Sequence, residues 1–217
     1  MTFQLADLFE AVADADPDRE ILVVGDRRLT YRELDERANR LAHVLREHGV
    51  GPGDAVGLQL ANGSEYVEGM LAAFKLRAIP VNINYRYVER ELRHLYEDSG
   101  ICALLVHRAF ASRAAAALDG SLKLVLDVDD GSGEPPVAGS SPYEEALAAA
   151  QRADDQYSEA ATWDSLGFAH RHLDELDRAA ECCDRSLAIY RRARDHYNEA
   201  LVLVHLGDVR ASAGEPD

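Results

Sequence analysis

The sequence has no long apolar run, few cysteines and few basic residues. No stretch reaches 18 consecutive apolar residues, so no transmembrane helix is predicted. Three cysteines, Cys102, Cys182 and Cys183, are too few for a disulfide framework. The first residues are acidic and lack the basic and apolar regions of a secretory signal. These absences predict a reduced, cytoplasmic protein.

The shortage of basic residues also narrows the range of partners. The chain has 39 acidic and 23 Lys or Arg residues, a formal net charge of −16, and both halves share the excess. Such a chain lacks the basic surface that binds phosphate backbones, and an anionic membrane would repel it. We therefore expect neither a nucleic-acid partner nor a membrane partner.

The last third of the chain contains an internal repeat. The segments that begin at Asp154 and Arg194 match at a shift of 40 residues. The identical pairs are Asp155 and Asp195, Tyr157 and Tyr197, Glu159 and Glu199, Ala160 and Ala200, Leu166 and Leu206, and Gly167 and Gly207. A fixed period of this size is typical of stacked helices. It predicts a helix pair at about 156–171 and 176–192, followed by one helix at about 196–211.

The first 150 residues alternate short apolar strands with amphipathic helices. Strands are predicted at 21–24, 55–60, 78–83, 101–106 and 122–128, with helical periodicity before and between them. Thr30 and Glu33 form a capping-box pattern, and Asn62 to Glu65 suggests a second helix cap. Alternating strands and crossover helices predict a mainly parallel sheet covered on both faces.

One stretch of this region carries a family resemblance. The segment from Leu29 to Arg86 reads LTYRELDERANRLAHVLREHGVGPGDAVGLQLANGSEYVEGMLAAFKLRAIPVNINYR. It resembles the N-terminal part of acyl-CoA synthetases, peptide-synthetase adenylation domains and luciferases, and is most similar to bacterial fatty-acyl-CoA synthetases. The resemblance spans about 1–150 and implies an α/β parallel-sheet subdomain of the adenylate-forming, AMP-binding type.

The family's chemical motifs are missing from this sequence. The resemblance implies a phosphate loop ending in Pro-Lys-Gly within a few tens of residues of the YEEALAAA segment, which begins at Tyr143. It also implies an aromatic-Thr-Glu element, an aspartate for the ATP ribose and a lysine in a mobile C-terminal domain. None of these is found. Adenylation needs oriented N–H donors and cations, and this sequence shows no recognisable set of either. We therefore predict no catalytic, cofactor-binding or metal-binding residue. ATP, Mg²⁺ and CoA would apply only to an intact family member.

Several groups of residues are candidates for phosphate, metal or ligand sites. Asp130 to Gly133 resembles a phosphate cradle but lies between acids and prolines, so a surface linker is favoured. Histidines without metal-ligand spacing are His43, His48, His94, His107 and the pair His170 and His172. Polar and aromatic residues that follow a predicted strand, where ligand sites can form, are Asn82, Asn84, Tyr85 and Tyr87. In the family this last stretch mainly packs the subdomain.

The C-terminal segment, about Asp154–Asp217, resembles tetratricopeptide repeats in a longer, 40-residue form. Departures from that pattern are His170, Cys183 and Ser186. The residues that we assign to repeat packing are Trp163, Leu166, Gly167, Ala179, Leu187, Leu203, Leu206 and Gly207. The expected fold here is an all-α helical hairpin plus one helix, with one complete repeat and one partial repeat.

These observations divide the chain and leave three functions open. We predict a truncated synthetase-like subdomain at 1–128, a linker at 129–142, a junction helix at 143–153 and repeats at 154–217. The first hypothesis is a catalytically inactive, ligase-like fusion protein. The second is an interaction module that binds a protein partner, or a second copy of itself, through the C-terminal helices. The third is half of a split acyl-CoA ligase.

Overall fold

The computed structural model describes residues 4–214, and the chain divides into two compact units. Unit 1 is Met1–Ala150 and unit 2 is Gln151–Asp217. Among the residues described, no helix has both the length and the apolar character needed to cross a bilayer.

Unit 1 alternates strands and helices, as the sequence predicts. Its strands are β1 (Glu20–Val24), β2 (Arg27–Thr30), β3 (Ala55–Gln59), β4 (Ile79–Asn82), β5 (Ile101–His107), β6 (Leu124–Val128) and β7 (Ser141–Pro142). Its helices are α1 (Leu5–Ala15), α2 (Tyr31–Glu47), α3 (Ser64–Lys75), α4 (Glu89–Ser99) and α5 (Ala111–Ala117), with a 3₁₀ turn at Arg108–Phe110.

The centre of unit 1 is a five-stranded sheet in the order β4-β3-β5-β6-β7, and every neighbouring pair is parallel. One face is covered by α2, α3 and the start of the helix at Tyr143, and the other by α4 and α5. All five residues of β3 are buried, since it lies inside the sheet with both faces covered. The predicted α/β parallel-sheet fold is confirmed.

The helix ends show where local sequence signals decide the structure. The Thr30 hydroxyl accepts from Glu33 N (3.3 Å), and Glu33 Oε2 accepts from Thr30 N (2.8 Å), so the predicted capping box forms. The cap predicted at Asn62 to Glu65 does not use a side-chain oxygen. Gly63 is the N-cap of α3 and supplies no side-chain oxygen, while the Ser64 hydroxyl accepts instead from Arg27 (2.7 Å).

The segment predicted as a linker, 129–142, packs on unit 1. Its last two residues form β7, which pairs with β6. The Ser140 hydroxyl donates to Asp127 (3.0 Å), and Val137 is buried in the core. The composition of this segment, rich in Gly, Ser and Pro, predicts a surface linker. Residues 129–136 are exposed, and the pairing of β7 with β6 returns the chain to the sheet edge.

Unit 2 is built from helices. The helices are α6 (Tyr143–His172), whose first residues belong to unit 1, α7 (Leu176–Ala193) and α8 (His196–Ser212). The junction helix and the first repeat helix, predicted separately at 143–153 and about 156–171, form the single helix α6. Asp195 caps α8 by accepting from Asn198 N (3.0 Å). The core of unit 2 consists of Ala160, Cys183, Leu187, Tyr190, Val202 and Leu206.

Candidate functional site

The carboxyl ends of β3, β4, β5 and β6 meet at one edge of the parallel sheet. Such edges are where open α/β sheets commonly bind ligands. An open cleft of about 430 Å³ lies there. Its lining residues are Leu60, Asn62, Tyr66, Asn82, Ile83, Asn84, Tyr85 and Arg86. Three of the four candidate residues that follow the strand, Asn82, Asn84 and Tyr85, line this cleft. The fourth, Tyr87, packs against the core beside α4 and α5.

The polar groups of this cleft mainly shape the loop that follows β4. Asn84 Oδ1 accepts from Arg86 N (3.0 Å), and Asn84 O accepts from Tyr87 N (3.0 Å), so Asn84 organises a turn. The Tyr85 ring stacks on Phe110, with centroids 5.3 Å apart. This aromatic contact joins the loop after β4 to the 3₁₀ turn that follows β5.

His107, at the end of β5, links two neighbouring strands. Its Nδ1 accepts from Ala61 N (3.0 Å), in the loop that follows β3. The ring is almost fully buried, and this burial lowers the pKa of His107, although Asp130 and Glu65 oppose the shift. A neutral ring with its Nδ1 lone pair already bound to the backbone has a structural role here. No local sequence pattern signals this contact, because Ala61 is 46 positions away.

The glycine-rich segment Asp130–Gly133 lies at the same edge, and two of its N–H groups are bound within the chain. Gly131 N donates to Asp129 Oδ1 (3.1 Å), and Ser132 N donates to Asp130 Oδ1 (3.1 Å). The two donors are satisfied by carboxylates, which would also repel a phosphate. The segment therefore offers no preformed phosphate cradle.

Asp127 and Asp129 hold Arg108, the first residue of the 3₁₀ turn. Arg108 Nε donates to Asp127 Oδ1 (2.7 Å) and its Nη1 donates to Asp129 Oδ2 (2.7 Å). The guanidinium is thus held between two carboxylates of unit 1. An arginine held in this way is a poor candidate for binding a nucleotide phosphate, because it would have to leave both partners.

The largest ion-pair network of unit 1 lies on the sheet face opposite α4 and α5, and sequence reasoning missed it. Glu68 is fully buried and accepts from Arg37 Nε (2.9 Å) and from the Tyr143 hydroxyl (2.6 Å). Arg37 also donates to Glu144 (3.1 Å). Burial and the Glu68 carboxylate raise the pKa of Tyr143 well above its ordinary value. The network ties α2, α3 and α6 together.

His170 and His172 take part in local contacts near the end of α6. Within residues 4–214, no group of three or more His, Cys, Asp or Glu side chains is arranged to hold a metal ion. His170 Nδ1 lies 2.6 Å from Glu175 Oε2, next to the end of α6, and His172 contacts the edge of the Phe168 ring.

The residues assigned to repeat packing divide into buried and exposed groups. Gly167, Ala179, Leu187 and Leu206 are buried. Trp163 is half-buried beneath the Arg185 guanidinium, which lies 4.4 Å from the ring centroid, and Gly207 is half-buried. Leu166 and Leu203 are both 42% exposed.

Comparison with known proteins supports both resemblances. The family described as AMP-binding enzyme matches residues 9–168, and a tetratricopeptide repeat family matches residues 158–217. The chain is 46% identical over 151 residues to 3-oxocholest-4-en-26-oate–CoA ligase of Rhodococcus rhodochrous, covering 68% of this chain and 27% of the relative. It is 42% identical over 161 residues to medium-chain acyl-CoA ligase Mig of Mycobacterium avium, covering 67% and 29% respectively.

Solved structures give the same result for the fold. A benzoate CoA ligase from Burkholderia xenovorans matches with a TM-score of 0.60 at 21% identity, over 68% of this chain and 29% of that one. The anthranilate CoA ligase AuaEII, in complex with anthranoyl-AMP, matches with a TM-score of 0.61 at 24% identity, over 68% and 28%. The chain therefore spans between a quarter and a third of the length of these relatives.

Proposed function

The chain belongs to the AMP-binding enzyme family, and from that premise we propose that residues 1–217 do not form acyl-adenylates on their own. The observation that carries the proposal is the helical path of residues 143–212. The family resemblance implies a phosphate loop soon after Tyr143, but α6, α7 and α8 occupy this stretch. The turns between them, 173–175 and 194–195, contain no glycine.

The two lysines support the same proposal. The sequence has two lysines, and both are bound to oxygens of unit 1. Lys75 pairs with Glu10 and with Asp35 (2.8 Å), and Lys123 donates to Gly49 O (2.7 Å). Phosphoryl chemistry requires cations that face the nucleotide. We infer that this chain needs neither ATP, Mg²⁺ nor CoA for its own role.

The test is ATP–pyrophosphate exchange with the purified chain. The acids to be offered are medium- and long-chain fatty acids and 3-oxocholest-4-en-26-oate, because the relatives named above are ligases of these classes. We expect no exchange above a blank without protein. Exchange that depends on both protein and acid would show that an adenylation site is present.

A second candidate function is protein binding through the repeat helices. It is favoured by large apolar side chains that α8 leaves exposed, among them Tyr197 (80%) and Val204 (62%). Deleting residues 195–217 should then abolish association while the fold of unit 1 is kept.

The split-ligase alternative is favoured by the five-stranded parallel sheet of unit 1 and by the match of this chain to about a quarter of a larger ligase. It would be supported if adding a relative's remaining chain in trans restored exchange. If no activity returns, the alternative is excluded for that relative.

A further inference from the structure

The loop between β3 and α3 contains the one Asn-Gly pair of the sequence, Asn62 and Gly63. The structure exposes Asn62 at the sheet-edge cleft and makes Gly63 the N-cap of α3. In any asparagine, the backbone nitrogen of the next residue can reach the side-chain amide carbon. Glycine has no Cβ, so it leaves the path of that nitrogen open and the backbone free to turn. The side chain and backbone of this pair can therefore react with each other.

No native hydrogen bond holds the two reacting groups in place. Ala61 N, immediately before the pair, donates to His107 Nδ1 (3.0 Å). Within residues 4–214, however, neither the Asn62 amide nor the Gly63 N–H takes part in a hydrogen bond. An N-cap residue contributes its carbonyl group to the helix, so α3 does not need the Gly63 N–H. Attack by this nitrogen therefore breaks no contact of the fold.

Two other asparagines lie inside helices and are bound there. Asn39 of α2 donates through Nδ2 to Asp35 (2.9 Å), and Asn198 of α8 donates through Nδ2 to Asp195 (2.6 Å). A helical backbone fixes the nitrogen of the following residue in the i to i−4 ladder. The amide carbon and that nitrogen cannot meet unless the helix opens.

The two remaining asparagines follow β4 and are also restrained. After Asn82, the next backbone nitrogen is that of Ile83, which donates to Leu58 O (3.0 Å) in the sheet. Asn84 Oδ1 accepts from Arg86 N (3.0 Å). Of the five asparagines in the sequence, Asn62 alone combines a following glycine with an exposed, unengaged side chain.

We propose that Asn62 is a covalent modification site that deamidates in the folded chain. Gly63 N gives its proton to a solvent base and bonds to Asn62 Cγ. The Cγ–Nδ2 bond then breaks, Nδ2 takes up a proton, and ammonia leaves behind a succinimide ring. Water opens the ring at either carbonyl carbon. Cleavage at Cγ gives aspartate, and cleavage at the main-chain carbon gives isoaspartate. The net change consumes one water, releases one ammonia and needs no oxidant.

Both products change the loop in a defined way. Each replaces a neutral amide by a carboxylate just before the N-terminus of α3, where negative charge is favourable. Isoaspartate also adds one carbon to the backbone, between Ala61, which is bound to His107, and the N-cap Gly63. The proposal is independent of the proposed lack of adenylation, because it concerns a reaction of the chain with water.

Incubation of the full chain at mildly alkaline pH tests the proposal. The chain is then digested at acidic pH, so that digestion adds no deamidation, and its peptides are analysed by liquid chromatography and mass spectrometry. The peptide that contains Asn62 should give two acidic products of equal mass. A synthetic peptide of residues 58–67 gives the rate of the same pair without a fold. The rate constants of the chain and the peptide should agree within about tenfold.

Gly63→Ala is the matched variant. Its Cβ would lie 2.9 Å from Glu65 Oε2, the end of a flexible side chain that can turn away, so the fold should be kept. Deamidation should be at least about tenfold slower, because the Cβ obstructs the nitrogen and narrows the backbone conformations. Asn84 is the internal control, since it lines the same cleft but accepts a hydrogen bond, and it should stay an amide.

Three results would overturn the proposal. Asn62 could remain an amide in the folded chain while the peptide is fully converted, which would mean that the fold keeps the two groups apart. Gly63→Ala with unchanged circular dichroism could deamidate as fast as the unmodified chain. Asn84 could convert as fast as Asn62, which would mean that the reaction follows unfolding and not the native loop.

Discussion

Unit 1 and unit 2 bury their apolar side chains in different ways. In unit 1 a parallel sheet is covered by helices on both faces, and each residue of β3 is buried. In unit 2 burial depends on whether a helix has a neighbour on a given side. The repeat-equivalent residues Leu206 and Leu166 show this directly, since Leu206 is 4% exposed and Leu166 is 42% exposed. The same residue type at equivalent repeat positions is therefore buried in one repeat and exposed in the other.

The largest effect in this comparison is expected in unit 1. Glu68→Ala removes a fully buried carboxylate and leaves the Tyr143 hydroxyl and Arg37 without their shared acceptor. Breaking a buried pair in this way costs roughly 3–5 kcal/mol. Glu20→Ala is the control, because its pair with Arg28 is exposed to solvent, where an ion pair adds little to stability. Urea denaturation followed by circular dichroism measures both losses. Similar losses for the two variants would mean that the network does not stabilise unit 1.

The next effect concerns the two equivalent leucines of unit 2. Leu206→Ala should destabilise by about 2–5 kcal/mol, because it opens a cavity beside Cys183 and Leu187. Leu166→Ala, which leaves the core untouched, should change stability by no more than about 0.5 kcal/mol. Thermal unfolding of both variants at one protein concentration compares them. Equal losses would show that Leu166 is packed in solution and that α6 has a neighbour on that side.

The smallest effect concerns a local helix cap in unit 1. Thr30→Ala removes the hydroxyl that caps α2 and should cost about 1 kcal/mol at neutral pH. Hydrogen bonds from the Thr30 backbone and side chain lower the pKa of Glu33. A lowered pKa contributes stability above the ordinary carboxyl pKa, and this stability is lost as the pH falls through the folded pKa.

The difference between Thr30→Ala and the unmodified chain should therefore shrink from pH 7 to pH 3. Unfolding measured at both pH values checks this, with Ser132→Ala, which lies outside the helices, as the control. A difference that stays constant with pH would mean that the Thr30 hydroxyl does not bind the Glu33 carboxylate, because the bond from Thr30 N to that carboxylate remains in the variant.

The fold was predictable where short segments decide the structure. The alternation of strands and helices, and the capping box of Thr30 and Glu33, depend on neighbours within a few positions. The burial of Leu34, Ala38, Leu41 and Leu45 follows from helical periodicity in the same way. Each of these signals is complete within one element, so the sequence alone was sufficient.

Other features depend on contacts that no local pattern encodes. Glu68 meets Tyr143 across 75 positions and His107 meets Ala61 across 46, so neither contact could be read from spacing. The sequence predicts two helices, at 143–153 and about 156–171, because the two family resemblances meet near Ala150. The structure has one helix, α6, since no residue in 143–172 ends it. At the sheet edge, the sequence placed Asn82, Asn84 and Tyr85 after a strand but could not show that Asn84 is engaged in its own turn.

The most direct test of the central claim compares two proteins in one pyrophosphate-exchange assay. One is the chain itself. The other joins residues 1–150 of this chain to the remainder of the Rhodococcus rhodochrous ligase, to which the chain is 46% identical over 151 residues. We predict exchange by the chimera and none by the chain, because unit 1 has the fold of the matching part of CoA ligases and the helices α6 to α8 supply no phosphate loop. Exchange by the chain itself above the blank without protein would contradict the account.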